Sequence, residues 1–142
     1  MRQCTVKANS DAGQFRAIQK AAAVALDHPE ITARIAEKYS RRFDLLVSAL
    51  RDLGFDAAKP EGSFYCYVRA PSGFTGGTAA GVRCATAAEA ADGLLAHALV
   101  STVPWDDAGA YLRFSVTFEA DGPDEEREVV AEMARRIGGS FD

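Results

Sequence analysis

Tyr111-Leu112-Arg113-Phe114-Ser115-Val116-Thr117-Phe118 alternates without a break. Leu112, Phe114, Val116 and Phe118 fall on one side of an extended chain, and Tyr111, Arg113, Ser115 and Thr117 on the other. This period of two predicts a β-strand with one face on a core and the other toward polar surroundings. A guanidinium at the centre of the polar side is costly to desolvate unless it meets an anion. Its planar fork suits two-point binding of a carboxylate. Two readings of Arg113 follow. It is either a sheet-surface arginine paired with an acid such as Asp106, Asp107 or Glu119, or a residue that binds an anion.

Just before this strand stands Pro104-Trp105-Asp106-Asp107-Ala108-Gly109. Adjacent carboxylates can serve metal binding or acid/base work, but neighbouring side chains in a turn diverge and Asp favours turns by bonding its own backbone. An acidic turn is the plainer reading. Trp105 is either a packing anchor or the wall of a pocket. Leu99 to Val103 reads as a strand ended by Pro104, and Thr86-Ala87-Ala88-Glu89 as a capping box that opens a helix through Leu94, Leu95 and Ala98. On the far side, Pro123 opens a last amphipathic helix through Val129, Val130, Met133 and Ile137, closed by Gly138.

Toward the amino terminus, Ser63 to Arg69 is aromatic and β-branched and reads as another strand. Phe55 to Ala58 suggests a short strand, and Pro60-Glu61-Gly62 a turn. The small-residue stretch from Ala70 to Cys84 reads as a surface loop; it lacks the lysine and Ser/Thr of a phosphate loop. A long helix is expected from Pro29, with Ile31, Ile35, Tyr39, Phe43, Leu46, Leu50 and Leu53 in helical period and Gly54 as a left-handed stop. Arg41 and Arg42 within it read as a solvated face. An earlier helix from about Ala12 to Leu26 carries Phe15, Ile18, Ala22 and Leu26 on one side, with Ser10 and Asp11 at its amino end. The order implies an α/β (α+β layered) fold, a small and mostly antiparallel sheet covered by helices.

Composition narrows the function classes. With 142 residues, 48% hydrophobic and 25% charged, the chain has the balance of a globular protein. Sixteen basic against twenty acidic residues give a net charge of -4, without the basic footprint of a nucleic-acid binder. Cys4, Cys66 and Cys84 form no CxxC pair, and His28 and His97 stand at no ligand spacing to them, so neither a disulfide framework nor a metal site is expected. No apolar stretch suggests a signal peptide or a membrane span, and a reducing, cytoplasmic setting is the expectation.

The wording of the sequence adds a resemblance. Lys7-Ala8-Asn9-Ser10-Asp11-Ala12-Gly13-Gln14-Phe15, Tyr39-Ser40-Arg41-Arg42-Phe43-Asp44, Pro60-Glu61-Gly62-Ser63-Phe64-Tyr65 and Ser101-Thr102-Val103-Pro104-Trp105-Asp106-Asp107-Ala108-Gly109, followed by Tyr111-Leu112-Arg113-Phe114-Ser115, occur in the order of matching blocks in class I/II aminotransferases. They are particularly similar to LL-diaminopimelate aminotransferases. Pro104-Trp105 departs from the Pro-Gly of many members. The resemblance implies that Arg113 grips the substrate α-carboxylate, with Asn9 and Trp105 as further substrate-side residues. It implies pyridoxal 5'-phosphate as cofactor, an amino acid such as glutamate and a keto acid as substrates, and a homodimer, with no nucleic-acid or membrane partner. None of Lys7, Lys20, Lys38 and Lys59 stands in the Ser-x-Ser-Lys context of the Schiff-base lysine. No catalytic or cofactor-binding residue is therefore assigned. The chain is expected to be a carboxy-terminal part: residues 1–27 from the large domain, 28–54 the connecting helix, 55–142 the small domain. The alternative is a stand-alone α/β module that binds a carboxylate or a partner without catalysis.

Overall fold

The computed structural model describes residues 15–74 and 81–138. The chain divides into two compact units, residues 1–37 and 38–142. In the first, α1 (Arg16–Leu26) follows Phe15, whose side chain forms no capping bond, and the expected capping residues Ser10 and Asp11 lie outside the described residues. Helix α2 (Pro29–Asp52) begins at the expected proline. His28 Nδ1 lies 2.8 Å from Glu30 Oε1, so Glu30 meets that ring beside the helix start. All described residues through Lys38 are exposed, Phe15, Ile18 and Leu26 of the apolar stripe included.

From Tyr39 onward the same helix is half sunk into a core. Phe43, Leu46, Val47 and Leu50 are buried at the three- and four-residue steps that line up one helical face. Each contributes on the order of 1.5–3 kcal/mol by leaving water. Asp52 ends the helix, and Gly54 follows in the left-handed region at φ +91°. The expected strand over Phe55–Ala58 is not formed. Phe55 and Ala57 instead turn into the core, and Arg51 Nε donates to the Ala57 carbonyl at 2.7 Å, which fixes the segment without a strand partner.

Three strands form one antiparallel sheet: β1 (Tyr65–Arg69), β2 (Val103–Trp105) and β3 (Tyr111–Ser115), with β3 in the middle. Pro104 does not end β2 but lies inside it, which its edge position permits, because an edge strand can lack one ladder donor. Cys66 pairs with Phe114, and Val68 with Leu112, and all four are buried on the core face. The alternation in Tyr111–Phe118 outlasts the strand. Beyond Ser115 the chain leaves the ladder, although the Val116 N–H still bonds the Phe64 carbonyl and its side chain stays buried.

Helix α3 (Ala87–Ala98) and helix α4 (Pro123–Ile137) complete the layers. Thr86 Oγ1 accepts from the Glu89 N–H at 3.1 Å, and Glu89 reaches back to the N–H of Ala85, one residue earlier than the usual capping box. The segment after β1 is more than a surface loop. Phe74 is buried, with its backbone bonded to Val82, and its ring lies where a Cβ on Gly93 would come within 2.5 Å of it. Only a glycine leaves that space on α3. Helix α4 opens with Pro123 and three acids in its first turn and closes with Arg135 and Arg136, the charge order its dipole favours.

Candidate functional site

The outer face of the sheet follows from the register. Tyr67, Arg113 and Val103 lie side by side across the three strands, as do Arg69, Tyr111 and Trp105, while Tyr65 stands opposite Ser115. Directly opposed residues share a face. This face is therefore aromatic, with Arg113 on its central strand. Tyr65, Tyr67 and Trp105 are each about two-fifths exposed, well above the buried Cys66, Val68, Leu112 and Phe114 behind them. Tyr67 and Trp105 meet edge to face at 6.3 Å between ring centres, and Arg69 lies 5.8 Å from the centre of the Tyr111 ring.

Arg113 is half-buried, and its Nε is fully shielded from solvent with no hydrogen-bond partner. Its guanidinium carbon lies 4.3 Å from the centre of the Tyr65 ring. Among the described residues no carboxylate pairs with it, and two of the acids that the sequence offered, Asp106 and Asp107, are otherwise placed. Asp106 accepts from the N–H of Ala87 at 2.8 Å with one oxygen and from that of Ala88 at 3.3 Å with the other. It thus holds the amino end of α3 from the turn after β2, where two free N–H donors and the helix dipole favour a carboxylate. Asp107 lies in the same turn, bridged to Gly109, whose φ of +116° suits glycine alone. The acidic pair divides into a structural brace and a turn residue. Among the described residues no three His, Cys, Asp or Glu side chains are grouped as a metal would require.

Trp105 closes one side of this face, and Asn9 lies outside the described residues. Sequence reading missed Tyr65, Tyr67, Arg69 and Tyr111 as neighbours of Arg113. The signal lay in Tyr65-Cys66-Tyr67-Val68-Arg69, whose odd positions alternate with buried even ones. An open groove of about 730 Å³, lined by Leu46, Phe114, Val129 and Met133 among others, does not include Arg113. Concavity and charge thus part company here, and the unpaired guanidinium is the stronger chemical feature.

The other arginine centre overturns an expectation. Arg42 is not on a solvated face: it is 1% exposed, its Nε donates to Glu126 Oε1 at 2.8 Å, and its remaining N–H groups serve the carbonyls of Val116, Phe118 and Ala120. Arg41 reaches the same carboxylate at 2.7 Å. Their hydrogen bonds hold Glu126 down to about 2 against the opposing pull of burial, Arg41 contributing most. Arg42 stands three residues after Tyr39 and four before Leu46, so helical spacing had already placed it on the buried face. Burial also raises the thiols of Cys66 and Cys84, both free.

The description "Aminotransferase class I and II" names the family whose profile matches residues 5–133. The chain is 44% identical over 137 residues to the LL-diaminopimelate aminotransferase of Methanococcus maripaludis, covering 93% of this chain and 32% of that protein. With the enzyme of the same name from Methanocaldococcus jannaschii it shares 43% over 143 residues, 95% of this chain and 33% of the other. It spans about a third of the length of these curated relatives. Among solved structures, the aromatic aminotransferase of Pyrococcus horikoshii overlays with a TM-score of 0.65 at 28% identity, over 84% of this chain and 29% of that one. Substrate-bound BacF of Bacillus subtilis gives 0.66 at 26%, over 87% and 29%. An arginine-centred antiparallel sheet under α helices, carried by a sequence that matches along most of its length, makes this chain a member of the class I and II aminotransferases.

Proposed function

We propose that this chain supplies the α-carboxylate clamp of a pyridoxal-phosphate aminotransferase, with Arg113 as the residue that grips the amino acid or keto acid. The observation that carries the reading is the solvent-shielded Nε of Arg113, without a partner, on an aromatic sheet face. A two-point carboxylate would meet the outer N–H groups of a half-buried fork for which no described carboxylate is a partner. Such a pair fixes the orientation of the substrate backbone, and the rings of Tyr67 and Trp105 would shield it from water. Asn9 belongs to the same proposal.

Pyridoxal phosphate would act as the electron sink of the full reaction when bound through a lysine. The described residues do not fit that part. Lys59 pairs with Asp44 at 2.6 Å and with Ser40, Lys38 lies beside the Tyr39 ring, and Lys20 is on exposed α1. None stands on the face that carries Arg113. The contribution of this chain is binding and orientation, and by itself it forms no Schiff base. It is a carboxy-terminal part of a longer enzyme, with residues 1–27 from the large domain, 28–54 the connecting helix and 55–142 the small domain. That enzyme would be a cytoplasmic homodimer that moves an amino group between glutamate and a keto acid, the diaminopimelate precursor being favoured by the names of the similar proteins. A second reading, a carboxylate-binding module that acts alone, draws on the separate core of residues 38–142.

The test is a titration of the isotope-labelled chain with L-glutamate, read at the Arg113 side-chain resonances by NMR. Wild type shifts saturably, and Arg113→Gln loses the response while its amide spectrum stays folded. A response that survives the substitution would sink the clamp. Added pyridoxal phosphate should give no saturable Schiff-base absorbance, and a saturable lysine adduct would overturn the division of labour.

A further inference from the structure

We propose that Tyr65 is the positioning residue of the Arg113 clamp: its ring, not an acid, sets the plane and direction of the guanidinium. The proposal rests on the reading of Arg113 as a carboxylate clamp and goes beyond it by naming what aims the fork.

An arginine in a protein is ordinarily oriented by hydrogen bonds to carboxylates or carbonyls. Arg42 has four such acceptors, Glu126 and three backbone carbonyls. Arg113 has none at its Nε, yet that atom is out of contact with solvent. The close neighbour is the Tyr65 ring, 4.3 Å from the guanidinium carbon. The register accounts for it. Tyr65 faces Ser115, two residues beyond Arg113 on β3, and a diagonal pair of that kind is within reach of long side chains on one face. Tyr67, directly opposite Arg113, packs its ring perpendicular to that of Trp105, and the ring that the guanidinium lies over is that of Tyr65.

Stacking does something an acid would not. A ring face attracts the cation but offers no acceptor in the plane of the guanidinium, so the N–H edges stay free for an incoming carboxylate. An aspartate in the same place would orient the fork and occupy it at once. The attraction comes from the face of the ring, so phenylalanine should serve as well as tyrosine, whereas an aliphatic side chain should not.

The experiment uses the 142-residue chain, with acetate as the probe. In wild type the Arg113 side-chain protons should be displaced upfield by the ring current of Tyr65, a displacement kept in Tyr65→Phe and lost in Tyr65→Leu. Acetate affinity at Arg113 should fall about threefold to tenfold in Tyr65→Leu and stay within about twofold in Tyr65→Phe. An Arg113 spectrum without ring-current displacement in wild type overturns the proposal, and so does equal acetate affinity in wild type and Tyr65→Leu. If wild type shows the displacement but no response to acetate, the clamp reading fails and this inference with it, although the stack itself stands. If Tyr65→Leu does not fold, the wild-type displacement still decides whether the ring holds the guanidinium.

Discussion

Arg42 and Arg113 are the same side chain under opposite arrangements. Arg42, on α2, is sealed in the core with a carboxylate and three carbonyls around it, and Arg41 completes the saturation of Glu126. Arg113, on the central strand, rests on a tyrosine ring with its Nε unsatisfied. A saturated guanidinium ties α2, the segment that follows β3, and α4 together and has nothing left to bind with. An unsaturated one contributes little to the fold and keeps its donors for a ligand. Hydrogen-bond saturation, more than burial, separates the structural arginine from the binding one.

The largest effect should come from breaking the saturated centre. Arg42→Met leaves three carbonyls without their donor and Glu126 with Arg41 alone. Losing one partner of a buried ion pair typically costs about 3–5 kcal/mol. Arg113→Met, by contrast, should change unfolding free energy by under about 1 kcal/mol, because no polar partner is stranded. Urea unfolding of the two variants checks the contrast. Similar losses for both would erase the distinction.

Acid should act on the same centre. The Glu126 carboxyl ionises at about 2 in the folded chain against an ordinary 4.5, so its contribution is fully present above pH 4.5 and is lost as pH falls toward 2. At 1.36 kcal/mol per unit the loss amounts to about 3 kcal/mol. Glu132 is also held at about 2, mainly by Arg135 and then Arg136, but it is far more exposed, so salt should screen its share. Unfolding free energies measured in high salt between pH 5 and 2 should fall for wild type and be nearly flat for Glu126→Gln. Equal slopes would remove the carboxylate from the account.

The legibility of the two centres in the sequence differs for a physical reason. Alternation in Tyr111–Ser115 and helical spacing in Pro29–Asp52 gave the sheet strand and the long helix, because each repeats a local geometry many times. Arg113 was legible as an anion candidate since a charge at mid-strand is locally anomalous. The partner that holds it was not, because Tyr65 lies 48 positions away and reaches Arg113 only through strand register. Arg42 was misread as solvated because two adjacent arginines suggest a charged surface, and its acceptor Glu126 is 84 residues distant. Pro104 suggested the end of a strand, since the proline rule is local and the edge position that excuses it is a property of the finished sheet. Whether the apolar stripe of α1 meets a partner was not legible either, since periodicity names a face and not what covers it.

The smallest effect concerns the acidic pair beside Arg113, where the comparison between structure and binding is drawn within two residues. Asp106 spends both oxygens on the N–H groups that open α3, and Asp107 sits in the turn. Asp106→Ala should destabilise the chain by about 1 kcal/mol, the usual loss for a side-chain oxygen at a helix amino end. Asp107→Ala should stay within about 0.5 kcal/mol. Neither should change the response of Arg113 to glutamate, since neither carboxylate pairs with it. Thermal unfolding with the NMR titration beside it checks both halves. If Asp106→Ala weakened glutamate binding while stability was unchanged, the carboxylate would belong with Arg113 in the site and not with Arg42 in the scaffold, and saturation would no longer sort the two.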